Sequence, residues 1–304
     1  MKIIAIDLDG TLLSENLTIQ EQDLNALYFG QKQGHIVTIA TGRALFDAKH
    51  IIKKYHLNCP IIASNGAQIY VNNQVLFEQF MDSRLIQPII TWLNKAGIYY
   101  QVYFSDKIVV SNQGIQQLEK QLYDTVIEDP QFNQEMFWDS IKAQLDQYGL
   151  EEVPNSIPVD YRYVIKFMIV SPSQKNLKEA KEYFGQLNEC VVTSSGPFNL
   201  EITSAEVDKG SSLNKICEYY ETTTKNAIAI GDNLNDLSMF HVAGTGIAMG
   251  NADKNLSKVA TFKTLSNYEC GVAYAFNHYI LNKENAPKPK PWSKQSRTII
   301  LKDV

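Results

Sequence analysis

Cysteine is scarce in this chain, and none is placed for a disulfide framework or a metal ribbon. Cys59, Cys190, Cys217 and Cys270 are scattered through 304 residues without a C-x-x-C pair. That usage excludes a cysteine-rich secreted scaffold and suits a reducing, cytoplasmic setting in which the thiols stay free. Histidine is equally sparse: His35, His50, His56, His241 and His278 are dispersed, so no His/Cys cluster is in position to hold zinc. No run approaches the ~18 consecutive apolar residues of a membrane span, and Met1 is not followed by the basic, apolar, small-residue order of a secretory signal. Positive charge is not in surplus: 28 Lys+Arg against 33 Asp+Glu leave a net charge of -5. A duplex nucleic-acid binder working through a broad basic face is therefore not expected, and the expected partner is a small molecule. There is no internal repeat.

What is present is enough apolar residue, 44%, to build cores, in a chain long enough that two domains are expected. Short apolar runs alternate with amphipathic stretches of helical length: Ile3 to Ile6, Ile19 to Lys32, Ile36 to Ala40, Ala44 to Tyr55, Ile61 to Ala63. This alternation predicts an α/β fold with a doubly wound parallel sheet whose strands are covered on both faces. Thr18 before Ile19, with Glu21 three residues on, reads as a capping box opening the first helix. From residue 84 to 204 the pattern shifts to longer helices (85–96, 112–122, 139–148, 177–187) among runs rich in Tyr, Val and Ile, at 99–104, 163–170 and 198–202. That stretch predicts a second, α+β domain with an antiparallel sheet, inserted into the first. Doubly wound character returns over 205–281, with strands expected at 227–230, 246–249 and 260–262 and a helix at 234–242. The expected division is thus 1–83, 84–204, 205–281, and a tail 282–304 in which Pro and Lys alternate from Pro287 to Pro291, read as extended and polyproline-like.

Each predicted core strand ends in a polar group. The first empties into Asp7-Leu8-Asp9-Gly10-Thr11, the second into Thr41-Gly42-Arg43, the third into Ser64-Asn65-Gly66, and the fourth into Gly231-Asp232-Asn233-Leu234-Asn235-Asp236. Any one of these suits an ordinary strand-to-loop turn. Together they put polar groups where open parallel sheets bind ligands, outside the carboxyl ends of the strands. If Asp7, Asp9, Asp232 and Asp236 converge, each carboxylate pair at ~4 Å repels by about 4 kcal/mol at an effective dielectric near 20, so a cation must sit among them. All-oxygen donors favour a hard ion, Mg²⁺ rather than zinc. Lys209, in Asp208-Lys209-Gly210, is a candidate further positive charge. Arg43 either reaches toward the substrate or forms an ion pair at its helix start.

These motifs, in this order and extending over residues 1 to 281, resemble those of the haloacid dehalogenase superfamily, and more narrowly its Cof-type phosphatases of subfamily IIB, which carry a C2-type cap inserted between the second and third motifs. The resemblance implies a Rossmann-like core with an inserted α+β cap. It assigns Asp7 as the nucleophile that forms an aspartyl-phosphate, and Asp9 as the acid that protonates the leaving oxygen and then serves as base on water. It implies Mg²⁺ held by the Asp7 carboxylate, the Asp9 backbone carbonyl and the Asp232 carboxylate. Phosphate oxygens fall to the Leu8 and Gly42 N–H groups, the Thr41 hydroxyl, Lys209 and Asn235. Asp236 orients Lys209 or a metal-bound water, and Asn65 and Arg43 lie near the substrate. An Asp at position 9 separates the chain from dehalogenases, which lack this acid, and from transport ATPases, which have Thr. The implied activity is hydrolysis of a small phosphorylated metabolite by a cytoplasmic monomer or homodimer. The alternatives are a phosphomutase-like transferase and a non-catalytic phosphometabolite-binding module. The tail and the cap sequence depart from the family pattern, and the cap residues that face the site are not readable.

Two other signals carry less. Gly244 to Gly250 has the look of a dinucleotide fingerprint, but its last Gly is one position late and it runs into a strand, so a turn plus strand is expected. The aromatics at 99–104 lack the basic groove of a single-strand stacking platform and read as packing residues.

Overall fold

The computed structural model describes residues 1–281, except 15, 155–156 and 158–159. The expected extended tail from residue 282 lies outside the described residues. The chain opens with β1 (Ile3–Ile6), α1 (Glu21–Lys32), β2 (Ile36–Ala40), α2 (Leu45–Lys53) and β3 (Ile61–Ala63), followed by the hairpin β4 (Gln68–Val71) and β5 (Gln74–Glu78). The hairpin went unread in the sequence. Its turn is Asn72-Asn73, both at positive φ (49° and 66°), the conformation that two-residue hairpin turns of matching twist require.

A second set follows: α3 (Ser83–Ala96), β6 (Tyr99–Tyr103), β7 (Ile108–Ser111), α4 (Asn112–Glu128), α5 (Gln134–Leu145), β8 (Leu150–Val153), β9 (Lys166–Val170), α6 (Gln174–Phe184), β10 (Cys190–Thr193) and β11 (Asn199–Ser204). The chain then adds α7 (Lys209–Tyr219), β12 (Ala227–Gly231), α8 (Leu237–Val242), β13 (Thr245–Ala248), α9 (Lys254–Val259), β14 (Phe262–Lys263) and α10 (Gly271–Ala275).

The first sheet runs β14-β13-β12-β1-β2-β3-β4-β5, parallel except for the β3–β4–β5 edge. Every β1 residue is fully buried because both faces are covered. Ile4 and Ile6 pack among Leu27, Ile51 and Phe276, whereas Ile3 and Ala5 pack among Leu213, Ile216 and Met239. From β1 the chain winds outward through β2 and β3, then returns to the other side through β12 to β14. The carboxyl ends of β1 and β12 therefore flank the point where winding reverses, where such sheets bind ligands.

The second sheet runs β10-β11-β9-β6-β7-β8, and its pairs are antiparallel except β7–β8, which is parallel where an all-antiparallel sheet was expected. One face, with Tyr100, Val102, Phe167, Ile169, Leu200 and Ile202, packs under α3 and α6. Strand alternation turns Tyr103, Lys166, Met168 and Glu201 to the other face. Part of that face is covered by Phe137 and Ile141 of α5 and Leu118 and Leu122 of α4, and the rest looks onto the first sheet's strand ends.

Three local expectations were wrong in detail. The Thr18–Glu21 capping box does not form: α1 starts after Gln20, without a side-chain cap. A bridge between Leu13 and Ile19 holds that segment extended, and the Thr18 hydroxyl pairs with Ser14 Oγ at 2.9 Å. The helix expected at 139–148 starts earlier because Asn133 caps it, accepting from the Met136 N–H at 2.9 Å. The run 163–170 is a strand only from Lys166, preceded by a 3-10 turn at Tyr161–Tyr163. The turn-plus-strand expectation for 244–250 is met by β13. Among the described residues, no helix is long and apolar enough to cross a membrane.

Candidate active site

Asp7 follows β1 directly, and its N–H donates to Ile230 O at 2.9 Å, which ties it to the end of β12. The chain then turns through Gly10, at φ +77°, where a Cβ would lie 2.5 Å from Asp232 Oδ2. Only glycine lets the two strand ends approach this closely. Thr11 Oγ1 donates to Asp232 Oδ1 at 2.9 Å, fixing that carboxylate. Asp236 sits in the 3-10 turn after β12, its Oδ2 accepting the N–H groups of Asp232 (2.9 Å) and Asn233 (3.1 Å).

Lys209 is the first residue of α7, whose start is fixed by Asp208 accepting the Ser211 N–H at 2.6 Å. Its ammonium donates to Asp7 Oδ1 at 2.7 Å and to Asp236 Oδ1 at 2.6 Å, and it is almost wholly buried. Asp7, Asp232 and Asp236 each present a carboxylate oxygen within 4.8 Å of the others. One lysine does not neutralise three carboxylates. Burial, then the charge of Asp236, pushes the Asp7 carboxyl well above its ordinary range, with Lys209 pulling it back. Burial and Asp236 likewise push Asp232 up to about 7. For Lys209, burial works against the charge, but Asp236 and Asp7 more than offset it and hold the ammonium above its ordinary value.

Asp9 is not one of these three clustered acids, although it lines the same cavity as Asp7. Arg43 grips it with a two-pronged fork, Nε to Oδ2 and Nη2 to Oδ1, both 2.7 Å, while Nη1 donates to Asp47 Oδ2 at 2.8 Å. Burial alone would lower the Arg43 pKa, and the charges of Asp9 and Asp47 reverse that and raise it. Arg43 therefore makes the expected helix-start ion pair and also reaches into the site. Thr41 Oγ1 accepts the Arg43 N–H at 3.1 Å. Asn65, at φ +55°, donates to Glu201 at 2.7 Å and accepts from Asn235 Nδ2 at 3.3 Å. Leu8 is buried in the core between the two acids.

A cavity of about 60 Å³ lies over Asp7 and Asp9, bounded by Gly42, Arg43 and Asn235 below and by Tyr103, Lys166 and Glu201 above. Sequence reasoning missed this upper wall, along with Thr11 and Asp47. A signal was available: Lys166 and Glu201 are single charges inside the apolar runs 163–170 and 198–202. Both pair with each other at 2.5 Å and are buried.

Residues 4–276 match the family of haloacid dehalogenase-like hydrolases. The 5-amino-6-(5-phospho-D-ribitylamino)uracil phosphatase YwtE of Bacillus subtilis (strain 168) is 36% identical over 277 residues, covering 90% of this chain and 96% of the relative. The phosphatase YwpJ of the same organism is 29% identical, over 92% of this chain and its own full length. A solved haloacid dehalogenase-like hydrolase from B. subtilis superposes with a TM-score of 0.80 at 28% identity, covering 92% of this chain and 100% of that one.

Proposed function

The chain belongs to the haloacid dehalogenase-like hydrolases and is a phosphatase of that family; from this premise we propose that it hydrolyses a small phosphorylated metabolite through an aspartyl-phosphate on Asp7. The observation that carries the reading is the setting of Asp7: its carboxylate stands at the reversal point of the sheet, bonded to Lys209 and bordered by Asp232 and Asp236, with Asp9 two residues away on a separate support. Nucleophile and proton donor need different environments, because one attacks as the anion while the other must deliver a proton.

An Asp7 oxygen attacks phosphorus as the bond to the leaving oxygen breaks, and Asp9 gives that oxygen its proton. Water then attacks the phosphorus of the acyl phosphate, Asp9 takes the water's proton, and Asp7 is released as the carboxylate. Arg43, whose fork occupies both Asp9 oxygens, positions that side chain and must release one oxygen for each proton transfer. The Leu8 and Gly42 N–H groups, the Thr41 hydroxyl, Lys209 and Asn235 receive the phosphate oxygens, supplying donors where charge develops. The donor set suits a resident Mg²⁺: the oxygens are carboxylates and a carbonyl, and three clustered acids have one lysine between them. Asp7, the Asp9 carbonyl and Asp232 would hold the ion, with Asp236 steering Lys209. When bound, Mg²⁺ offsets the negative charge that phosphate and carboxylates bring together. The four thiols are free, as a cytoplasmic setting requires.

Asp7→Asn is the direct test. It should abolish release of p-nitrophenol from p-nitrophenyl phosphate in Mg²⁺, and full activity in that variant would defeat the assignment. 5-Amino-6-(5-phospho-D-ribitylamino)uracil, named for the 36%-identical relative, is the first metabolite to assay.

A further inference from the structure

Asp47 stands in the first turn of α2 and is only 2% exposed. An acid at such a position ordinarily faces solvent and answers the helix dipole. This one commits its oxygens elsewhere: Oδ2 accepts from Arg43 Nη1 at 2.8 Å, and Oδ1 accepts the N–H of Tyr148, 101 positions along the chain, at 3.0 Å. As scaffolding alone the arrangement is a poor choice. Arg43 is already matched by its fork onto Asp9, and a second buried carboxylate carries its own desolvation cost.

The second carboxylate has a use once the fork moves. Each proton transfer requires Arg43 to let go of one Asp9 oxygen, and a buried cation that loses a partner is strongly destabilised unless another holds it. Asp47 holds it through Nη1, the nitrogen that the fork leaves free.

What fixes Asp47 comes from the inserted domain. Tyr148 and Gly149 lie in the turn between α5 and β8, and that turn rests on α2 at two further points. The Tyr148 ring stacks on His50, centroids 4.3 Å apart and planes within 4° of parallel. Gly149, at φ +81°, sits so close to Phe46 that a Cβ would come within 2.6 Å of Cε2. Phe46 and His50 are one helical turn apart and flank Asp47, so the turn covers the same stretch of α2 that presents this acid. A continuous line of polar bonds, none longer than 3.0 Å, thus runs from Tyr148 through Asp47 and Arg43 to Asp9.

Resting on the phosphatase reading, we propose that Asp47 is a positioning residue for proton transfer: it holds Arg43 while an Asp9 oxygen is freed, and the Tyr148 N–H fixes Asp47 only when the α5–β8 turn is seated on α2. The signature is dependence on the leaving group, which a general structural defect does not produce. p-Nitrophenolate departs as the anion, whereas phenolate, a stronger base of nearly the same shape, draws more on the proton from Asp9. The quantity to compare is kcat/KM from phosphate release in Mg²⁺, because it covers the step that expels the leaving group and not the later attack of water. In the full-length protein Asp47→Asn, checked for an intact melting transition, should lower kcat/KM at least about tenfold for phenyl phosphate and less than about threefold for p-nitrophenyl phosphate. That loss is a share of the ~10²–10⁴-fold that a positioned acid contributes. Gly149→Val unseats the turn while leaving Asp47, Arg43 and Asp9 in place, and should give the same split. A split smaller than about threefold in either folded variant overturns the inference, and Gly149→Val decides it if Asp47→Asn does not fold. Turnover of both esters by the unaltered protein without a split in the variants refutes the role of Asp47 alone. Turnover of neither ester refutes the phosphatase reading with it.

Discussion

Replacing Lys209 by Met removes the ammonium that lies 2.7 Å from Asp7 and 2.6 Å from Asp236 and leaves a side chain of similar length. The two carboxylates then face each other without a buried cation. At the 4.8 Å limit on their separation, the mutual repulsion is about 3.5 kcal/mol at an effective dielectric of 20. This agrees with the ~3–5 kcal/mol usual when one partner of a buried ion pair is deleted. At roughly 2–4 °C per kcal/mol for a chain approaching this size, the melting temperature should fall by about 6–20 °C. The measurement is thermal unfolding at pH 8 in the absence of divalent cations. Protonation of one acid relieves the repulsion, so the loss should be smaller at pH 5 than at pH 8. Adding Asp236→Asn to Lys209→Met should recover much of it. A loss under about 1 kcal/mol, or no recovery in the double variant, would refute the view that Lys209 holds the acids together and would confine it to phosphate binding.

Two further outcomes follow from buried contacts. Asp23 on α1 accepts the Ala273 N–H at 2.7 Å through Oδ1, its Oδ2 has no partner, and burial pushes its carboxyl up to about 7. Between its ordinary value of 3.8 and about 7 the unfolded chain releases a proton that the folded chain keeps, so stability falls as pH rises across that window and levels off above it. The three-unit gap corresponds to about 4 kcal/mol, and Asp23→Asn should remove this contribution and raise the melting temperature at pH 8; identical pH profiles for the two proteins would count against it. Thr11→Val deletes the hydroxyl bonded to Asp232, which should raise the half-saturating Mg²⁺ concentration for p-nitrophenyl phosphate turnover about tenfold, and an unchanged Mg²⁺ curve would show that Thr11 does not orient a metal ligand.

Periodicity along the chain is a local property, and what depends on it was legible. The apolar runs at Ile3–Ile6, Ile36–Ala40 and Ala227–Ile230 are continuous because both sheet faces are covered, and they predicted the parallel sheet without reference to any partner. The acids and glycine after β1 and β12 were readable as strand-end groups for the same reason. Local capping was less secure, because at Thr18 a competing local bridge, from Leu13 to Ile19 six residues on, won over the helix-start preference. Tertiary structure alone decided which polar groups meet: Lys209 reaches Asp7 across 202 positions, Thr11 reaches Asp232 across 221, and Arg43 reaches Asp9 across 34. It also decided which face of β9 and β11 looks onto the site, and so made Lys166 and Glu201 visible. A strand's alternation says that neighbouring residues point in opposite directions, but only packing against α3 and α6 on one side determines which direction is the core and which is the substrate.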